Sequence, residues 1–165
     1  MKKYIKILII TLTMSLFAFN ILYAAGSSSG DGYDKIGLYK KGKKLVLRAK
    51  KQEEKNKTEK AQELYLKAYK IFEKAYEKNK KNPDILNYLG FTLRKTGNLE
   101  KAEIYYLKGL EFDAGHLGIN EYLGYLYIET NRIDKAKERL KVLKNCECDE
   151  FDRLKVAIKK SEVKY

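Results

Sequence analysis

Apolar side chains recur along this chain at intervals of three and four residues, in blocks separated by short polar stretches, which is the spacing of helices that each bury one face. Between Lys57 and Asn79, the residues Ala61, Tyr65, Ala68, Phe72 and Ala75 follow that spacing and predict one long helix. Pro83 marks the start of another helix, because its missing N–H is harmless in a first turn. Near the C-terminus, Asp149 can cap a helix running to about Val163, with Phe151, Leu154 and Ile158 as its buried stripe. Strand-like alternation is nowhere sustained, so the pattern predicts an all-α chain. The exception to the amphipathic pattern is the N-terminus, where an apolar run from Ile7 to Phe19 follows Lys2, Lys3 and Lys6.

The periodic region repeats itself every 34 residues. Leu86, Leu89, Gly90, Leu93, Gly97, Ala102, Tyr106 and Gly109 align with Asn120, Leu123, Gly124, Tyr127, Asn131, Ala136, Leu140 and Leu143, and the central segments align without a gap. Each position has a physical reading. Gly90 and Gly124 carry no side chain and so allow a close helix approach, whereas Gly97 and Asn131 are the residues that best accept the positive φ that ends a helix. Ala102 and Ala136 are small contacts on the returning helix, and Tyr106 and Leu140 are the large ones one turn later.

This arrangement resembles the tetratricopeptide repeat, a helical hairpin with a small residue in its first helix, a turn glycine, an alanine opening the second helix, a bulky residue four further on and a small residue three beyond that. Gly90, Gly97, Ala102, Tyr106 and Gly109 occupy those places. The next repeat departs at Leu143, where a small residue is usual. An upstream copy fits with a seven-residue insertion: Ala49, Asn56, Ala61, Tyr65 and Ala68 match in one register, and Ala68, Phe72 and Ala75 match in another. The expected fold is an α-solenoid of about three hairpins plus a C-terminal capping helix over residues 35–165. The repeats fall at about 42–82, 83–116 and 117–148, and the cap at about 149–163.

The resemblance implies a non-enzymatic adaptor or scaffold that binds a peptide segment or a partner protein along its concave face. The lining positions carried over from the family are Asp84, Asn87, Tyr88, Phe91, Arg94 and Lys95 in the first complete repeat. In the next they are Gly118, Glu121, Tyr122, Tyr125, Ile128 and Glu129. The aromatic members can grip apolar side chains, Asn87 can pair with a peptide backbone and Arg94 with an acidic group. Glu121 and Glu129 stand where cationic or amide groups would hold a C-terminal carboxylate, which disfavours that mode of binding.

Composition narrows the remaining chemistry. One His, at position 116, excludes sites built on two imidazoles, and no Gly-rich phosphate loop is present; no cofactor, metal or small-molecule substrate is implied. Cys146 and Cys148 form a C-x-C before the last helix, which in an oxidising compartment points to a disulfide. Their Cα separation is expected near the upper part of the range a bridge allows. A strained bridge of that kind keeps a thiol redox role open as an alternative.

Residues 1–24 have the charged start, apolar core and small residues of a secretory signal peptide, followed by a Gly/Ser-rich linker over 25–34. The expected location is therefore the periplasm or another exported site of a bacterial envelope, with anchoring in the inner membrane by residues 7–24 as the alternative. Net charge is +13, and residues 35–81 hold 17 basic against 6 acidic side chains. That Lys-rich hairpin allows contact with an anionic membrane surface. Nucleic acid is disfavoured, because only five of the 35 basic residues are Arg.

Overall fold

The computed structural model describes residues 30–163, with side chains from residue 37; the signal-peptide reading of 1–24 and residues 25–29 of the expected linker lie outside the described residues. Residues 35–165 form one compact unit. Seven helices are described: α1 Gly30–Glu53, α2 Thr58–Lys78, α3 Pro83–Lys95, α4 Leu99–Phe112, α5 Leu117–Glu129, α6 Ile133–Leu143 and α7 Asp149–Glu162. Helix α1 thus includes residues 30–34, which composition assigned to the linker. Extending a helix that is already nucleated fixes only one residue per hydrogen bond, so modest local propensity does not stop it.

The hairpins α1–α2, α3–α4 and α5–α6 close through turns of one design. Asn56, Gly97 and Asn131 stand at φ +55°, +86° and +56°. In each turn the next residue's N–H reaches back across the end of the first helix: Lys57 to Gln52 O at 2.9 Å, Asn98 to Leu93 O at 2.9 Å, and Arg132 to Tyr127 O at 2.7 Å. This satisfies carbonyls the helix would otherwise leave open. Helix starts repeat as well. Asn82 Oδ1 accepts from the Ile85 N–H at 3.1 Å, and 34 residues later His116 Nδ1 accepts from the Ile119 N–H at 3.2 Å. The single histidine is therefore a helix cap.

Packing explains the small residues. A Cβ on Gly90 would lie 2.6 Å from the ring of Tyr106, and one on Gly42 would lie 2.5 Å from the ring of Phe72. In the first hairpin Ala49, Ala61, Tyr65, Ala68, Phe72 and Ala75 are all buried. Both registers are therefore occupied at once, one hairpin layer built on Ala49 and Tyr65 and another, two turns further from Asn56, on Gly42 and Phe72. The third hairpin differs. Gly124 admits Leu154 of α7 rather than Leu140, which stays half-buried. Leu143, too large for a standard hairpin contact, is fully buried with Leu154 in the same apolar cluster. Among the described residues α7 has no hairpin partner, so no second helix needs the close approach to α6 that a small residue would permit.

Cys146 and Cys148 are joined in a disulfide with a Cα separation of 5.1 Å, inside the ordinary range rather than at its upper end. Glu147, at φ +47°, folds the connecting turn and brings the two Cα atoms together. Among the described residues no cysteine is free.

Candidate functional site

The first helices of the hairpins, α1, α3 and α5, lie side by side, and along them runs a continuous row of aromatic rings. Tyr39 meets Tyr88 edge-on at 5.7 Å, Phe72 stacks on Tyr88 at 4.9 Å, Tyr88 meets Phe91 at 6.5 Å, Phe91 meets Tyr122 at 4.9 Å, and Tyr122 stacks with Tyr125 at 6.5 Å. Centroid distances between about 4.5 and 7 Å are those of attractive ring pairs. Tyr88, Tyr122 and Tyr125 are half-buried, whereas Phe91 is only 3% exposed and also packs against Tyr65. Burial raises the Tyr88 and Tyr125 hydroxyls and pushes that of Tyr122 up to about 12, so all three remain neutral donors at physiological pH.

Cations lie over this row. The Arg94 guanidinium is 6.0 Å from the rings of Phe91 and Tyr122 and 5.6 Å from that of Tyr125, and it pairs with Glu129. Lys50 of α1 lies 5.1 Å from the Phe91 ring, and Lys43 lies 6.0 Å from the Tyr88 ring. Burial draws the Lys50 ammonium below the usual lysine range, with the Glu121 carboxylate opposing that effect. Lys95 bonds Glu53 at 2.6 Å, and its backbone carbonyl accepts from Gln62 at 2.8 Å.

Three expected groove residues are not open to a ligand: Phe91, which is buried in the row just described, and the two that follow, Asn87 and Glu121. Asn87 is 6% exposed and sits beneath Gly118, where a Cβ would come within 2.7 Å of its Nδ2; its Oδ1 accepts no hydrogen bond. Glu121 is 2% exposed, and Arg153 of α7 donates to both of its oxygens, at 2.6 and 3.0 Å. In both places a neighbouring helix covers a position that a single isolated repeat would leave open.

Other residues join the face that sequence reasoning left out. Lys43 and Lys50 were missed because the insertion in the first hairpin left α1 without assigned lining positions. The register that aligns Ala49 with Gly90 already puts Lys50 where Phe91 stands, but lining positions were carried over only to the two complete repeats. The second omission is α7. With α5 it walls a shallow depression of about 490 Å³, lined by Tyr125, Asp152, Arg153, Val156, Ala157 and Lys160.

Comparison with known proteins agrees with this geometry. The family described as "Tetratricopeptide repeat" matches residues 71–104, a window of one repeat length that takes in the end of α2, all of α3 and the start of α4. The window straddles two of the hairpins, since a periodic chain can be cut into repeats at any phase. No curated protein sequence matches. Among solved structures, a thermophilic tetratricopeptide protein of Thermus thermophilus is similar with a TM-score of 0.62 at 20% identity, over 77% of this chain and 63% of that one. The type III secretion translocator chaperone SycD of Yersinia enterocolitica gives a TM-score of 0.54 at 16% identity, covering 74% of this chain and 83% of its own. PcrH in complex with the chaperone-binding region of PopD gives 0.51 at 15% identity, over 74% and 91%. At these identities the likeness is one of fold, and this chain spans less than two thirds of the Thermus protein.

Proposed function

We propose that this tetratricopeptide-repeat protein is a non-enzymatic adaptor of the bacterial cell envelope that holds an extended segment of a partner protein against the concave face of α1, α3 and α5. The observation that carries the reading is the placement of Arg94, a cation ringed by Phe91, Tyr122 and Tyr125 and balanced by one exposed carboxylate, Glu129. An acidic group on a ligand can take the place of Glu129 on the guanidinium, while an apolar ligand side chain rests on Tyr88 or in the depression beside Tyr125. PcrH, one of the similar structures, holds a segment of its partner, which supports a peptide ligand here. With so few repeats the groove is short, and the expected affinity is about micromolar or weaker. Export by residues 1–24 belongs to the same reading.

The test uses peptides selected by display against the purified protein and then titrated by calorimetry. Arg94→Gln and Tyr125→Ala should each weaken a selected peptide about tenfold. Phe91 is unsuitable for this purpose, because its burial makes any truncation a test of folding. Equal binding by the native protein and both variants, with unchanged circular dichroism, would remove the groove reading.

A further inference from the structure

The excess positive charge sits on one helix rather than on the whole first hairpin. Over residues 37–53 α1 carries seven Lys or Arg against one Glu. Helix α2 carries five Lys against four Glu, and α7 four basic against four acidic residues, so a lysine-rich genome alone does not account for the imbalance in α1. The lone acid is turned inward, where Glu53 bonds Lys95 at 2.6 Å and accepts from the Tyr65 hydroxyl at 2.8 Å.

On the face of α1 opposite the buried Gly42, Val46 and Ala49 stand Lys40, Lys44, Leu47 and Lys51, flanked by Lys41 and Arg48, all exposed. The stripe from Lys40 to Lys51 is about 16 Å long at helical rise. None of its cations has a carboxylate partner among the described residues, whereas on α2 Lys67 pairs with Glu63. Leu47, in the middle of the stripe, is 59% exposed.

We propose that this stripe docks α1 lengthwise on a bilayer containing anionic phospholipid. Six of the seven cations of residues 37–53 are lysines, point charges on flexible stems that suit a diffuse layer of phosphates better than the planar pairing by which Arg reads one carboxylate. Their apolar stems can lie along the surface while the ammonium groups reach the headgroups, and Leu47 then enters the interface between them. A protein partner would need carboxylates matched to fixed cation positions, yet no cation of the stripe is held in place by a hydrogen bond. Read as an export signal, as under the proposed function, the apolar run of residues 7–19 in the same chain would bring the protein to a membrane whether it is later cleaved or kept. Lys43 and Lys50 lie on another side of α1, over Tyr88 and Phe91, so the groove stays accessible in the docked state.

The experiment is sedimentation of the protein, as purified from an expressing bacterium, with vesicles of phosphatidylcholine alone or mixed with phosphatidylglycerol. Binding should require phosphatidylglycerol and should fall as salt rises through the physiological range. The triple variant Lys44→Gln, Arg48→Gln, Lys51→Gln should bind about fivefold more weakly per lost charge, on the order of a hundredfold in all. Lys67→Gln, Lys70→Gln, Lys74→Gln on α2 should leave binding nearly unchanged, as should Arg94→Gln, which separates this surface from the groove. Equal partitioning onto both vesicle types would overturn the proposal, as would equal losses in the two triple variants. Tighter binding to polyglutamate than to anionic vesicles would instead assign the stripe to an acidic protein.

Discussion

At the scale of single residues, the absence of a side chain is worth as much as its presence. Gly90 and Gly124 occupy equivalent places, yet what a methyl group would strike differs. Both partners are fully buried, but on Gly90 it meets the rigid ring of Tyr106, whereas on Gly124 it meets the terminal methyl groups of Leu154, which can rotate. Gly90→Ala should therefore cost about 1–3 kcal/mol in urea unfolding, and Gly124→Ala clearly less. Equal costs would show that the glycines serve the backbone and not the packing. Sequence reasoning reached both glycines because a small residue at a fixed place in a repeat is visible. It assigned Leu140 as the counterpart of Tyr106 at Gly124, and the structure supplies Leu154 instead.

At the scale of elements, neighbouring helices are tied by a few ion pairs. The strongest geometry joins α4 to the turn before α6: Arg132 Nη1 and Nη2 bond the two oxygens of Glu103 at 2.9 and 2.7 Å, while the Arg132 guanidinium stacks 4.6 Å from the Tyr127 ring. The Arg132 hydrogen bonds hold the Glu103 carboxyl below the usual carboxylate range. A carboxyl lowered on folding stabilises fully above its unfolded pKa, about 4.3, and loses that contribution as pH falls through the lower folded value. Glu103→Gln should cost about 1 kcal/mol at neutral pH, and the difference from the native protein should shrink as pH falls below about 4.3 and vanish once the folded carboxyl is also protonated. Thermal unfolding across that range checks it; a difference that does not change with pH would mean the pair contributes through packing alone.

For the compact unit of residues 35–165, stability passes from repeat to neighbour, so each end needs its own solution. The C-terminal end is covered by α7, which buries Leu154 and Ile158 and sets Arg153 on Glu121. Truncation after Lys144 would uncover Leu143 and the surface at Gly124 that Leu154 fills, and would remove the guanidinium that pairs with Glu121. Amide exchange in α5 and α6 should then speed up strongly while α3 and α4 keep more of their protection. Retained protection in α5 would show that the cap is dispensable. On α1 the outer face carries cations and an exposed leucine, and none of the other described helices covers it.

The sequence by itself determined the helices, the 34-residue period, the turn residues Asn56, Gly97 and Asn131, and the identity of the small contacts, because each depends on local chemistry: periodic burial, tolerance of positive φ, or the lack of a Cβ. The aromatic residues that meet along α3 and α5 could also be named, since they follow from position within a repeat. Only the tertiary structure decided which of those positions are open. Asn87 and Glu121 are covered because other helices cross them, and Lys43 and Lys50 enter the groove because α1 lies against α3. The stripe on α1 became distinct from the lysines of α2 once the exposed faces were known: its cations share their face with no carboxylate, whereas Lys67 of α2 pairs with Glu63. Contacts between residues 30 or more apart depend on how helices meet in space, and that is set by the packing of the whole unit.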